Sequence, residues 1–359
     1  MMKPTLVPLL GTLAFPLALA AWGLSFGSVP SSAQAGELWI GAAAADITPD
    51  QPVPLTGGSS VRIAREVFSR CTANVLALES RDGQRALDQA ILVSCDLCVI
   101  RPGIQEGFRR HLAGRLPGFD LKKLFLAATH THAAPVILQD RFDEKDYGDA
   151  MQPKEYVPWM YELRGLTYSQ EIARRIANTF DDVAGVIAQD IRTDVPLVHR
   201  VEQIDLPARI VTDVEYRVAK KVYERIDAKK TLTKSDYWSR YLYGFVAERY
   251  VSQQQGGWKT FEMELHVLRL GDVAIATNPF ELFLDYGVQI EARSPDVQTF
   301  LIQLATNARH PGYYVPTTRA MAGGALDENP FTNYSATVVS NPVGPKGGQV
   351  LVDRTVEAI

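Results

Sequence analysis

The sequence is short of several features that would point to particular classes of protein. It has three cysteines in 359 residues, too few for a disulfide-stapled scaffold, and an odd number cannot all pair within one chain. Lys and Arg total 37 against 41 Asp and Glu, so there is no excess of positive charge to attract a polyanion and we expect no nucleic-acid partner. After the first 35 residues no stretch is apolar for long enough to cross a bilayer.

Three common signatures of catalysis or nucleotide binding are also missing. The chain has no G-x-S-x-G nucleophile elbow, no G-x-x-x-x-G-K-[ST] phosphate loop and no G-x-G-x-x-G turn after a predicted strand. The one glycine-rich stretch, Gly57-Gly58-Ser59-Ser60, is interpreted as a loop that would at most line a pocket. Serine-nucleophile and nucleotide-dependent chemistry are therefore not favoured.

The first 35 residues differ in composition from the remainder. Lys3 is followed by an apolar run from Leu6 to about Phe26, and small residues stand at Ala33-Gln34-Ala35. A positive end, an apolar middle and an A-x-A site predict a signal peptide over residues 1–35 and a secreted, cell-envelope or periplasmic protein. An uncleaved N-terminal membrane anchor is the alternative, because the apolar run is long enough to span a bilayer.

From residue 36 onward, short apolar runs alternate with amphipathic stretches. This order predicts an α/β (α+β) fold with mixed β-sheets and packed helices in a single domain, residues 36–359. The predicted strands are Leu38 to Ile47, Thr72 to Leu78, Ala90 to Ile100, Lys123 to Thr129, a hairpin turning at Gly271-Asp272, and Thr299 to Leu304. The predicted helices are Gln105 to Leu116, Tyr168 to Phe180, Val214 to Ile226, one beginning at Thr233, and Phe280 to Ala292, with a surface loop over Asp140 to Glu155.

Two features of these elements admit two interpretations each. Cys95-Asp96-Leu97-Cys98 has the spacing of a redox motif, but it continues an apolar strand, and burial is the favoured interpretation. The helix after Thr233 carries aromatic residues, among them Trp238 and Tyr241. Packing of that helix on its neighbour is favoured over contact with a lipid or acyl chain.

Two histidines directly follow a predicted strand, in Thr129-His130-Thr131-His132. In an extended chain, residues two apart share a face, so both imidazoles could approach one metal ion or one substrate. A strand end surrounded by loops is a common place for a binding or catalytic site. Two surface histidines with local hydrogen bonds are the alternative.

Several segments around these histidines occur in a characteristic order. They are Gly41-Ala42-Ala43-Ala44-Ala45-Asp46-Ile47-Thr48-Pro49, Val93-Ser94-Cys95-Asp96-Leu97, the Thr129 to His132 segment, Asn278-Pro279-Phe280-Glu281-Leu282-Phe283, Ala292-Arg293-Ser294-Pro295 and Gly312-Tyr313-Tyr314-Val315-Pro316-Thr317. In these segments the chain resembles the neutral (non-lysosomal) ceramidases, over about two thirds of residues 36–359. The resemblance implies a zinc-dependent hydrolase that cleaves the N-acyl bond of a sphingolipid or related substrate.

The resemblance also implies roles for four residues. His130, Glu281 and Tyr314 match zinc ligands of that family, and His132 matches a neighbouring active-site histidine, here expected to orient the substrate or exchange a proton. We place Glu281 in the first turn of the predicted helix, where the helix dipole favours a carboxylate. The open alternatives are a plain helix-terminal charge for Glu281 and a loop aromatic for Tyr314.

The chain departs from the family between the histidine segment and the hairpin. It has no counterpart of the stretch that carries the second zinc histidine, an arginine and a G-D-x-S/N-P segment. His310 is the favoured replacement ligand because it lies near Tyr314 in sequence, ahead of His199. The expected partner is a small lipid or N-acyl molecule, with peripheral membrane contact and the oligomeric state left open. A non-catalytic envelope binding protein and a metal hydrolase of another substrate are the alternatives.

Overall fold

Apolar strands form the framework of the protein. The computed structural model describes residues 37–50, 53–57, 62–100, 102–135, 174–175, 177–178, 191–192, 195–305, 313–323, 326–329 and 333–359. The strands are β1 (Glu37–Asp46), β2 (Val53–Leu55), β3 (Arg62–Ala64), β4 (Thr72–Asp82), β5 (Arg85–Cys95), β6 (Leu124–Ala128), β7 (Ile191–Arg192), β8 (Leu197–Pro207), β9 (Thr260–Leu270), β10 (Val273–Thr277), β11 (Glu281–Leu282), β12 (Gln298–Ile302) and β13 (Tyr314–Val315). The α-helices are α1 (Pro102–Leu112), α2 (Asp213–Asp227), α3 (Lys234–Gln254), α4 (Leu284–Arg293), α5 (Thr318–Ala322) and α6 (Pro345–Ala358), with short 3-10 turns at Leu121–Lys123 and Tyr334–Ala336.

The first sheet has the strand order β6-β5-β4-β1-β7. Neighbouring strands are antiparallel except for β5 and β6, which are parallel and are joined through α1. A crossover of this length is needed because a tight turn cannot connect parallel strands. As a result the strands end side by side, with Cys95 opposite Ala128, and the segments that follow them meet at one edge of the sheet.

The second sheet has the order β12-β10-β9-β8. β9 and β10 form the predicted hairpin, and Gly271 supplies the left-handed backbone that its tight turn requires, with φ at +63°. β12 returns parallel to β10 after α4. Between β10 and α4 the chain forms the short strand β11, which pairs in parallel with β13.

The two sheets pack against each other and each carries helices on its outer face. Ile40 and Leu76 from the first sheet meet Val273 and Phe300 from the second in one buried cluster. The opposite face of the first sheet packs on α1, and the opposite face of the second packs on α4 and α6. The fold is therefore an α/β arrangement of mixed sheets and packed helices, as predicted, and residues Gly36–Ile359 form one compact unit.

Helices α2 and α3 form a pair at the side of this sandwich. Thr212 and Thr233 cap their N-termini, each in a reciprocal capping box with the acidic residue three positions on. Leu242 and Val246 of α3 are buried against α2, so the packing interpretation holds for that side of the helix. Tyr241 stays about half exposed. Among the described residues, none of the helices combines the length and apolar character needed to cross a bilayer.

The other predictions have mixed outcomes. Cys71, Cys95 and Cys98 are buried thiols, which confirms burial over an exposed redox pair. The helix predicted from Phe280 begins only at Leu284, so its first turn was wrong. The loop over Asp140 to Glu155 lies outside the described residues, as does most of the helix over Tyr168 to Phe180, of which 174, 175, 177 and 178 are helical.

Candidate functional site

The histidine segment leaves the first sheet in a turn rather than as an extended strand. β6 ends at Ala128, and His130 adopts a left-handed backbone with φ at +61°. The expectation that an extended chain places both rings on one face was therefore wrong. The rings nevertheless meet, with their centroids 5.0 Å apart and the two Nε2 atoms 3.3 Å apart.

Hydrogen bonds from the neighbouring segment hold this turn. Asp96 accepts from the Thr129 hydroxyl at 3.1 Å and from the Thr72 amide at 2.8 Å. The Cys98 carbonyl lies 2.7 Å from His130 Nδ1, and since a carbonyl only accepts, Nδ1 carries the proton. His130 Nε2, the other ring nitrogen, then carries a lone pair, and it lies 3.3 Å from His132 Nε2.

A second loop supports His132. Arg62 donates to the His132 carbonyl at 2.7 Å and to the Thr56 carbonyl at 2.9 Å, so it ties the two loops together. Gly57, with φ at +81°, lies so close to the imidazole that a Cβ there would stand 2.3 Å from His132 Cγ. The position therefore needs glycine for both conformation and space.

Glu281 and Tyr314 reach the same place from the opposite side. They are register partners in the β11–β13 pair. The Glu281 amide donates to the Tyr313 carbonyl at 2.8 Å, and the Phe283 amide donates to the Val315 carbonyl at 3.3 Å. This ladder holds Glu281 in an extended chain before the helix, which is why its predicted place in the first helical turn was wrong.

The four predicted site residues converge. His132 Nε2 lies 3.2 Å from Glu281 Oε2, and His130 Nε2 lies 3.7 Å from the same oxygen. His132 Nδ1 lies 3.0 Å from the Tyr314 hydroxyl, and that hydroxyl also hydrogen-bonds the Glu281 carboxylate. Residues far apart in the chain thus form one polar cluster.

Burial determines the protonation of this cluster. It lowers the pKa of His132 to about 4, with His130 and Arg62 adding to the effect. It raises the pKa of Glu281, partly offset by the hydrogen bond from Tyr314 and by His130. It also raises the pKa of Tyr314, to which the Glu281 carboxylate contributes. At neutral pH His132 is uncharged and Tyr314 keeps its proton.

The cluster has the donor chemistry of a metal site. Glu281 Oε2 is buried and, within the described part of the chain, has no hydrogen-bond partner. An orphaned carboxylate oxygen beside two imidazole nitrogens suits a cation such as zinc, which binds both donor types. Cys98 is a further donor that the sequence did not suggest: one donor atom each of Cys98, His130 and His132 lies within 4.8 Å of the others.

Of the other two candidate histidines, the structure describes one, and that one does not join the cluster. His199 lies on β8 and stacks on His266, with ring centroids 5.3 Å apart, away from the cavity. His310 lies outside the described residues. His199 therefore supplies no replacement ligand, and the role of His310 stays a prediction.

The cluster borders a cavity of 420 Å³. Its polar wall contains the four clustered residues and Arg62. Its apolar wall is formed by side chains from the loops and strands opposite, including Val53, Leu55, Phe283 and Leu284. Phe68, which is mostly exposed, also lines the cavity, and the Arg319 guanidinium stacks on its ring at 3.3 Å. One polar and one apolar wall suit a ligand with both characters.

A second carboxylate group lies behind the site. Glu291 on α4 accepts from the Asn74 side chain at 3.1 Å. Burial, followed by the nearby Asp96, raises the pKa of Glu291 to about 7. Neither Glu291 nor Asp96 lines the cavity, so their effect is on the stability of the fold that carries the histidine turn.

Two of the solved structures to which this chain is similar are ceramidases. One, described as a ceramidase complexed with C2, matches at a TM-score of 0.36 and 11% identity over 89% of this chain and 74% of its own. The other, a neutral ceramidase from Pseudomonas aeruginosa, matches at a TM-score of 0.32 and 13% identity over 90% and 74%. No family model and no curated protein sequence matches.

Proposed function

We propose that the protein is an exported, zinc-dependent hydrolase, similar to the neutral ceramidases, that cleaves an N-acyl bond in a sphingolipid or a related amide. The observation that carries the proposal is the convergence of His130 and His132 with Glu281 and Tyr314 on one wall of a cavity. The motif resemblance nominated these four residues, and the fold brings them together from two separate sheets. Export follows from the predicted signal peptide over residues 1–35.

The site supports hydrolysis rather than redox chemistry. Zinc bound there would supply Lewis acidity, which activates water at neutral pH and polarises a carbonyl group. The chain supplies a carboxylate, neutral imidazoles and a protonated phenol in a partly enclosed space, where electrostatic interactions are stronger than in bulk water. Arg62 holds the loop that orients His132.

The two walls of the cavity support an amphipathic substrate. An N-acyl lipid has a hydrocarbon chain on one side of the amide and a polar group on the other. The apolar wall, which includes Val53 and Leu55, offers a surface for the chain, and the polar wall offers donors and acceptors for the amide. Exposed Phe68 extends the apolar surface outward, consistent with a substrate presented at a lipid surface.

Fatty-acid release by the purified protein tests the proposal. The assay compares a short-chain ceramide, N-acyl amino acids, carboxylic esters and phosphate esters, before chelation, after chelation and after return of zinc. We expect release from an amide, loss on chelation, recovery with zinc, and a loss of at least roughly 100-fold in Glu281→Gln, more than loss of an outer hydrogen bond causes. Glu264→Gln, a carboxylate on β9 outside the cavity, is the matched control.

The alternatives give different results in the same assay. Turnover of esters or phosphate esters alone would replace the amide substrate with another. Zinc-dependent binding of the lipid without release of fatty acid would indicate a binding protein, and equal activity of Glu281→Gln and the wild type would contradict the proposed site.

A further inference from the structure

One combination of tautomers of the two histidines leaves three lone pairs close together. His130 Nδ1 donates to the Cys98 carbonyl, so His130 Nε2 has no proton in the neutral ring. His132 Nδ1 lies 3.0 Å from the Tyr314 hydroxyl, and either atom can donate, because a neutral imidazole has two tautomers. In the tautomer with the proton on Nδ1, the phenol oxygen accepts from His132, and His132 Nε2 has a lone pair as well.

These lone pairs belong to His130 Nε2, His132 Nε2 and Glu281 Oε2. Their separations are 3.3 Å, 3.2 Å and 3.7 Å. Ligands about 2.0 Å from a tetrahedral zinc ion stand about 3.3 Å apart along the edges of the tetrahedron. Three acceptors at these distances repel one another unless a cation lies between them.

We infer that His130 Nε2, His132 Nε2 and Glu281 Oε2 form the three-ligand set of the metal, and that Tyr314 is a positioning residue which orients His132 through its Nδ1. Two histidines and a glutamate are a known set for a catalytic zinc ion with one open position. In such sites the second ring nitrogen of each histidine is hydrogen-bonded to a fixed acceptor, here the Cys98 carbonyl and the Tyr314 oxygen.

This division differs from the one implied by the resemblance, in which Tyr314 binds the metal and His132 exchanges a proton. It also explains how the metal could be held without the second zinc histidine of that family. His132, two residues after His130 in the same turn, would be the second histidine ligand. The inference deepens the proposed function and rests on the metal in it.

Metal affinity measured against a competing chelator tests the assignment. We expect the wild type to bind one zinc ion per chain, and His130→Ala, His132→Ala and Glu281→Gln each to bind at least roughly 100-fold more weakly. Tyr314→Phe is expected to lose no more than about 10- to 100-fold, the range for an outer hydrogen bond. His199→Ala, which alters the imidazole pair between β8 and β9, is the matched control and should keep the zinc.

Two further measurements guard against indirect effects. His132→Gln keeps a polar group beside Tyr314 but removes the ring nitrogen, so it should lose the metal while circular dichroism shows a native fold. The copper(II)-loaded protein should show no phenolate charge-transfer band. Such a band, wild-type zinc affinity in His132→Ala, or a loss in Tyr314→Phe as large as in His130→Ala would overturn the assignment.

Failure of this inference and failure of the proposed function are distinguishable. If His132→Ala loses zinc but the wild type hydrolyses no amide, the ligand set stands and the proposed function falls. If the wild type hydrolyses amides and His132→Ala keeps its zinc, the proposed function stands and the ligand set is wrong.

Discussion

At the scale of single residues, the site depends on close contacts that sequence patterns do not reveal. Gly57 touches the imidazole of His132, and Arg62 binds the carbonyl of the same residue. Both residues are distant from the histidines in sequence, and their roles arise only when two loops meet. Cys98 is a similar case, because the strand pattern predicted its burial but not its place beside His130.

Gly57→Ala tests the contact with His132. The added Cβ would overlap the ring, which must move, so metal affinity and hydrolysis should both fall, together with about 1 kcal/mol of stability from the left-handed backbone. Gly118→Ala is the matched control: Gly118 also has φ at +81°, but no heavy atom lies within 4 Å of its Cβ position. Chelator competition and chemical denaturation measure the two effects. Equal metal affinity in the two variants would contradict the prediction.

At the scale of elements, most strands and helices were predictable because their apolar periods are regular. The β9–β10 hairpin and the capped helices α2 and α3 follow the sequence closely. The segment Phe280 to Phe283 was misassigned because its four residues fit the start of a helix as well as a short strand. Glu281 and Leu282 form a strand because they pair with β13, which lies more than 30 positions later in the chain.

Helix α6 supports the strand that carries Tyr314. A Cβ on Gly348 would stand 2.5 Å from the hydroxyl of Tyr286, which donates to the Pro316 carbonyl just after β13. We expect Gly348→Ala to lower the free energy of unfolding by about 1–3 kcal/mol through overpacking and to weaken metal binding. Lys346→Ala, at an exposed position of the same helix, should change neither. Urea denaturation measures the loss of stability, and chelator competition measures the metal affinity. A Gly348→Ala variant as stable as the wild type would contradict the role of this contact.

At the scale of the whole molecule, the partly buried carboxyl of Glu291 links stability to pH. Its pKa is raised from 4.5 to about 7 in the folded protein, so the folded state holds this proton more tightly than the unfolded chain. The stabilisation is complete below pH 4.5 and is lost as the pH rises through about 7, by up to about 3 kcal/mol.

Glu291→Gln should therefore unfold at a higher urea concentration than the wild type at pH 8 and at a similar one at pH 4. The amide keeps a polar partner for Asn74 but cannot ionise. Glu106→Gln, at an exposed position on α1, serves as the control and should follow the wild type at both pH values. A constant difference between Glu291→Gln and the wild type across this range would contradict the linkage.

A metal at the site would join the two sheets, because its ligands come from the turn after β6 of one and from the chain after β10 of the other. Zinc at 100 times its dissociation constant adds about 2.7 kcal/mol to stability, so we expect the thermal midpoint to rise by on the order of 5 °C. Differential scanning calorimetry measures the shift. His199→Ala should show it and His130→Ala should not, and an equal shift in both would place the ion elsewhere.

The Tyr314 hydroxyl and the His132 ring touch although they are 182 positions apart in the chain. Closing the loop between these two residues is slower than pairing neighbouring strands. It lowers the conformational entropy of the chain before the contacts that stabilise the site can form. In a growing chain the imidazoles therefore emerge long before the carboxylate and the phenol that complete their surroundings. A premature stop before residue 281 therefore leaves the two histidines without both the carboxylate and the phenol, and a stop between residues 282 and 313 leaves them without the phenol.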